Sequence, residues 1–141
     1  MALRCVDASF VVAWFIPGDQ SEAVEEAWTS YARGEDQFVG PPLLYVETIS
    51  VVRRLAHRGF LSNEEAGAIV EDFLALEIPT PVPAGLYQMS YNLARRYNQP
   101  RAYDACYLAL AKIMYCQLMT LDQRLYNAVA GDFPHIRLVG Q

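Results

Sequence analysis

Four acidic residues stand where an unpaired carboxylate is costly, and they set the chemistry this chain could perform. Asp7 closes the short apolar run Leu3 to Val6. Glu47 has Leu43, Leu44, Ser50 and Val51 three and four residues away, so no cation reaches it along its own helix. Asp104 heads the apolar stretch Arg101 to Leu125, with uncharged Pro100 and Leu108 at i−4 and i+4. Asp122 follows the apolar run Cys116 to Leu121. A carboxylate in such surroundings needs a cation from elsewhere, a metal ion or a proton. Four together would repel one another, and Mg2+ or Mn2+ relieves that repulsion through hard oxygen ligands. Each acid alone also has a plainer reading. Asp7 could cap a turn, Asp122 a helix; Asp104 could pair with Arg101 or with a helix dipole, and Glu47 with a distant arginine. Their joint placement, near strand ends or on buried helices, favours a shared site.

The elements that would position them alternate along the chain. Leu3 to Val6 reads as a strand, and Ser9 opens a helix as its N-cap. Pro17-Gly18 breaks that helix; Asp19 with Glu22 forms a capping pattern for a second, running to about Gly34. Gln37 to Val39 is a strand, and Pro41-Pro42 starts a long helix from Leu43 to about His57, ended at Gly59. Ser62 and Glu65 form a capping box for a helix to about Leu76. Glu77-Ile78 is expected in a third strand, fenced by Pro79, Pro81 and Pro83. The next helix carries Leu86, Met89, Leu93 and Tyr97 on one stripe. From Arg101 the pattern is helical and apolar nearly all round, which predicts a buried helix. Cys116 to Leu121 is then a fourth strand, Asp122 to Ala130 a short helix, and Ile136 to Val139 a last strand. Strands alternating with helices imply an α/β fold with a mostly parallel sheet covered on both faces. Ligands then bind beyond the carboxyl ends of the strands, where Asp7 and Asp122 fall.

Composition narrows the class. The 141 residues, 53% hydrophobic, read as one domain large enough to close a core. The net charge of −5 argues against gripping duplex DNA through a basic surface, but not against a nuclease whose acids hold cations. Cys5, Cys106 and Cys116 all lie in apolar context and read as reduced core residues of a cytoplasmic protein. The apolar run Phe10 to Ile16 is too short to span a bilayer, and no secretory leader is recognisable. Arg53, Arg54 and Arg58 read first as a solvated helix end that could also meet phosphate or a partner, with His57 a surface histidine among them, and the tyrosine-rich later helices as core before base-stacking platforms.

With those residues in view, the chain resembles the PIN-domain ribonucleases, and in particular the VapC-type toxins of toxin–antitoxin pairs. Val6-Asp7-Ala8-Ser9 resembles their opening motif, and Pro42 to Glu47 with Arg53-Arg54-Leu55 the second. Tyr103 to Ala111 is similar to the third and Thr120 to Leu125 to the fourth, in order across essentially the whole chain. The resemblance implies a single PIN-like domain, residues 1–141, folded as a three-layer α/β/α sandwich. It implies a Mg2+- or Mn2+-dependent endoribonuclease in which Asp7 and Asp104 bind the metal most directly. Asp122 would complete the site directly or through water, and Glu47 would bind through water or orient the nucleophile. Ser9 and Thr120 would support these by hydrogen bonds, with Arg124 and Arg101 placed to touch phosphate. The implied partners are RNA cut in single-stranded regions, such as transfer RNA, a small antitoxin whose Arg or Lys plugs the acidic groove, and a second copy in a homodimer.

Two other classes fit the sequence less well. An aspartyl-phosphate phosphatase needs a second Asp two residues after Asp7, where Ser9 stands, and a receiver needs a lysine at a strand end, whereas Lys112 lies within a helix. A catalytically inactive PIN-like binding or assembly module would keep the fold without the chemistry, and the intact acids argue against it.

Overall fold

The strands are short, three to five residues each. The computed structural model describes residues 2–16 and 22–140. Strand β1, Ala2–Val6, leads into helices α1, Ala8–Phe15, and α2, Glu22–Ala32. Strand β2, Asp36–Val39, precedes four helices: α3, Leu43–His57; α4, Asn63–Ala75; α5, Leu86–Arg96; and α6, Tyr103–Ile113. Strand β3, Gln117–Thr120, then α7, Gln123–Val129, and β4, Ile136–Leu138, complete the described chain. The helix break at Pro17-Gly18 and the capping pattern that starts at Asp19 fall outside the described residues.

Among the described residues the sheet has four strands in the order β2-β1-β3-β4, every neighbouring pair parallel. Successive strand side chains face opposite sides. Cys5 and Val6 of β1 are both wholly buried, and so are Leu118, Met119 and Thr120 of β3. Helices therefore cover both faces, giving the three-layer α/β/α sandwich. Helix α6 is the most enclosed: every residue from Ala105 to Ala111 is buried, as the all-round apolar pattern requires. It packs on α5, β1 and β3. The capping box at Ser62 and Glu65 forms as read, with bonds of 3.0 and 2.9 Å. The three cysteines are free and buried.

Two local expectations are corrected. Ser9 does not cap α1; Asp7 does, its carboxylate accepting from the Phe10 amide at 3.0 Å. Asp7 stands one residue before the helix, in extended conformation, the position from which a side chain reaches the third helical amide. Glu77-Ile78 is not a strand. Glu77 is left-handed, with φ of 50°, and the prolines that follow carry no N–H for a ladder. The segment is instead a strap: the Gly40 amide donates to the Pro79 carbonyl at 3.1 Å, and the Tyr45 hydroxyl to the Ile78 carbonyl at 2.7 Å. The strand that precedes Asp122 is consequently the third, not the fourth.

The sheet order sets where a site can form. The chain leaves β1 toward β2 on one side and returns to β3 on the other, opening a crevice at their carboxyl ends. Pairing of Val6 with Met119 brings the next residues, Asp7 and Thr120, level at that crevice. If the strap is held as described, Tyr45→Phe, which deletes only its hydroxyl, costs about 1 kcal/mol in urea denaturation. An unchanged midpoint would show that the bond to Ile78 does not anchor it.

Candidate active site: a cleft lined by four acids

Asp7 is the most constrained of the four acids. It is buried, and three donors converge on its carboxylate. Oδ1 accepts from the Ser9 hydroxyl at 2.6 Å and from the Phe10 amide at 3.0 Å. Oδ2 accepts from the Thr120 hydroxyl at 2.5 Å. A hydroxyl has one proton to give, so Ser9 and Thr120 spend theirs on Asp7 and use their lone pairs elsewhere. Ser9 Oγ accepts from the Leu121 amide and Thr120 Oγ1 from the Asp122 amide, both at 3.0 Å. Asp7, Ser9 and Thr120 thus tie the turn after β1 to the turn after β3. A carboxylate offers about four acceptor positions, and the described residues fill three, leaving one on Oδ2.

The other acids join Asp7 from different elements. Asp122 caps α7, its Oδ1 accepting from the Leu125 amide at 3.1 Å, so the plainer reading of this residue holds alongside its place at the cleft. Asp104 stands in the first turn of α6 and Glu47 one turn into α3. All four line one cleft of about 310 Å3, with Ala8, Ser9, Ser50, Arg54 and Tyr107 among its other walls. Their charges are felt in sequence, Asp122 raising both Asp7 and Asp104, and Asp104 raising Glu47. Burial is the larger cause in each case. It pushes the Asp7 carboxyl up to about 6, against the opposing pull of its three hydrogen bonds. Among the described residues none of the four acids is in an ion pair; the two pairs present are Arg4 with Asp36 and Arg96 with Asp132.

The donors present are carboxylate oxygens, which suit a hard cation and not a thiophilic one. They line the cleft without converging: among the described residues no three acids already form a metal-holding group. Mg2+ does not require such a cage, since it keeps several waters and is held by one or two carboxylates with substrate phosphate. The free position on Asp7 is of that kind, so the residues fit the ion.

The supporting residues divide. Thr120 is fully buried and bonded to Asp7 behind the cleft wall, whereas Ser9 also lines the cleft. Arg124 is exposed on α7 and lies close enough to Asp104 to pull its carboxyl down. Arg101 is exposed and does not line the cleft. Two cleft residues were not singled out from sequence. The Tyr107 hydroxyl donates to Glu47 Oε1 at 2.6 Å, and burial, followed by that bond, raises its pKa well above the usual phenol range. Arg54, read first as part of a solvated helix end and only second as a contact for phosphate or a partner, lines the cleft. Their helical phase was the available signal, Tyr107 lying three residues after Asp104 and Arg54 seven after Glu47.

A model of the PIN domain matches residues 4–131, a span that contains all four acids. This chain belongs to the PIN domain family. It is 32% identical to Ribonuclease VapC3 of Pyrobaculum aerophilum over 133 residues, covering 92% of this chain and 93% of that protein. It is 32% identical to Ribonuclease VapC9 of Mycobacterium tuberculosis over 94 residues, 67% of this chain and 72% of that one. Its fold is similar to the crystal structure of VapC20 from Mycobacterium tuberculosis, described as a sarcin-ricin loop cleaving toxin, with a TM-score of 0.63 and 20% identity. That likeness spans 95% of this chain and 98% of that one. The PIN fold also recurs in PAE2754 from Pyrobaculum aerophilum, with a TM-score of 0.62 and 17% identity over 92% and 88% of the two chains. No helix among the described residues is long and apolar enough to cross a membrane.

The buried acid makes the stability of this PIN domain depend on pH. In the folded state Asp7 holds its proton up to about pH 6, against 3.8 for the free side chain. Its contribution is therefore full below the unfolded value and is lost as pH rises through the folded one. The loss for this group approaches about 3 kcal/mol. Chelator-treated wild type should lose stability in guanidinium titrations across that window, and Asp7→Asn should show a flatter profile. Equal slopes for the two proteins would contradict the assignment.

Proposed function

We propose that this PIN domain is an endoribonuclease that hydrolyses RNA phosphodiester bonds with Mg2+ or Mn2+, and is the toxin of a VapBC-type toxin–antitoxin pair. The observation that carries the reading is the shared cleft, in which four carboxylates stand without ion pairs and the best-ordered one keeps a free acceptor position. The relatives named as VapC ribonucleases support the same reading. It is also why the inactive-module alternative is less favoured: no acid is missing, and none is neutralised by a cation among the described residues.

In this reading Asp7 and Asp104 hold the ion, with Asp122 close by, directly or through water. The ion, when bound, supplies Lewis-acid charge to the scissile phosphate and an acidified water. The residues of the chain do the rest. Ser9 and Thr120 hold the Asp7 carboxylate at the cleft wall, with one acceptor position on Oδ2 still open. Tyr107 fixes one oxygen of Glu47, leaving the other to orient the attacking water. Glu47 suits that role because burial and the charge of Asp104 raise its pKa. Arg124, beside Asp104, is placed to meet phosphate. A narrow acidic cleft admits a flexible single strand more readily than a duplex, so the proposed substrate is RNA in unpaired regions, transfer RNA loops included. The same charge favours an antitoxin that inserts an Arg or Lys. A homodimer and a cytoplasmic location complete the proposal.

Purified protein with Mn2+ and total RNA should generate discrete new ends, abolished by chelator. Asp7→Asn and Asp104→Asn should each lower the rate by more than about a hundredfold. Thr120→Val, which removes one hydrogen bond from Asp7 and the acceptor of the Asp122 amide, should cost about ten- to a hundredfold. Cleavage that persists undiminished in both Asp variants belongs to a contaminant and removes the proposal.

A further inference from the structure

Arg54 is the one cation among the residues that line the acidic cleft, and its position is unlike that of a counterion. It lies on α3 in line with Glu47, Ser50 and Val51, all four facing the cleft. The residue is exposed, and among the described residues it forms no ion pair with any of the four carboxylates. A guanidinium retained to neutralise acids would be bridged to one of them, since bidentate carboxylate pairing is its preferred geometry. This one is solvent-exposed at the cleft, its donors uncommitted among the described residues.

Charge balance shows what it is free to do. Four ionised carboxylates exceed a divalent cation by two charges, and a phosphodiester brings one more negative charge into the same space. Arg124, beside Asp104, supplies one compensating charge from α7, and Arg54 supplies the other from α3. Without both, a cleft holding its ion would still repel the group it has to bind.

We propose that Arg54 binds the RNA backbone phosphate next to the scissile one, seating the strand along α3 so that the bond to be cut faces Glu47 and Asp7. The proposal rests on the nuclease reading above. It concerns binding and not bond cleavage, because Arg54 stands about two helical turns from Glu47 and is solvent-exposed.

The test uses the full chain with Mn2+ and a short single-stranded RNA that contains a bond the wild type cuts. Arg54→Ala is expected to raise KM about tenfold or more, while kcat stays within about twofold. It should also flatten the salt dependence of log kcat/KM by about 0.7 per tenfold in salt, the loss of one single-strand phosphate contact. Arg54→Lys should keep the salt dependence but recover only part of KM, since it restores charge and not the fork. Mn2+ affinity, read by electron paramagnetic resonance, should hold or tighten in Arg54→Ala. Ala is the strongest helix former, and a matching thermal midpoint confirms the fold. Unchanged KM and salt dependence would overturn the proposal, as would a fall in kcat alone or weakened Mn2+ binding. If the wild type cuts no RNA at all, the nuclease reading fails with it; if both proteins cut alike, only this assignment does.

Discussion

The structure depends on a carboxylate that folding leaves incompletely satisfied. Asp7 is taken out of water and given three hydrogen bonds, which is not enough to restore its ordinary acidity; its carboxyl stays pushed up to about 6. Burial opposes the charge more strongly than the Ser9, Thr120 and Phe10 donors favour it. A protein selected for stability alone would place an apolar residue or an ion pair here. Instead the nearby charges are more carboxylates, and no described cation bridges them. That deficit is what a divalent ion would relieve. In the proposed reading, stability, metal affinity and catalysis are three aspects of one interaction.

The fold serves this site by bringing distant elements to one crevice. The order β2-β1-β3-β4 sets the carboxyl ends of β1 and β3 side by side, so Asp7 meets Thr120 across 113 positions of sequence. Helix α6 is buried from Ala105 to Ala111, so its less enclosed first turn, with Asp104, is the end that reaches the cleft. Its Tyr107 then reaches α3 to fix Glu47. Each acid is thereby held by a different element, and the cleft between them is kept open by packing behind it.

Much of this was legible in the sequence because acids interrupting apolar runs are conspicuous. Asp7, Asp104 and Asp122 each end or begin a buried element, and Glu47 lacks a local partner. What was not legible came from phase and competition. Periodicity shows that Arg54 shares a face with Glu47 but not which face meets the cleft, so the arginine read as solvated. Ser9 and Asp7 are both good caps two residues apart, and the choice between them depends on where the strand stops. Glu77-Ile78 has a strand's composition, yet three prolines and a left-handed Glu77 make it a strap bonded at Gly40 and Tyr45. Such a segment differs from a strand only in partners that sequence does not show.

Crystals soaked in Mn2+, with data collected at the manganese absorption edge, test the central claim most directly. The account predicts an anomalous peak in the cleft, in direct contact with Asp7 Oδ2 and bordered by Asp104 and Asp122. An empty cleft, or an ion bound only elsewhere on the surface, would contradict it.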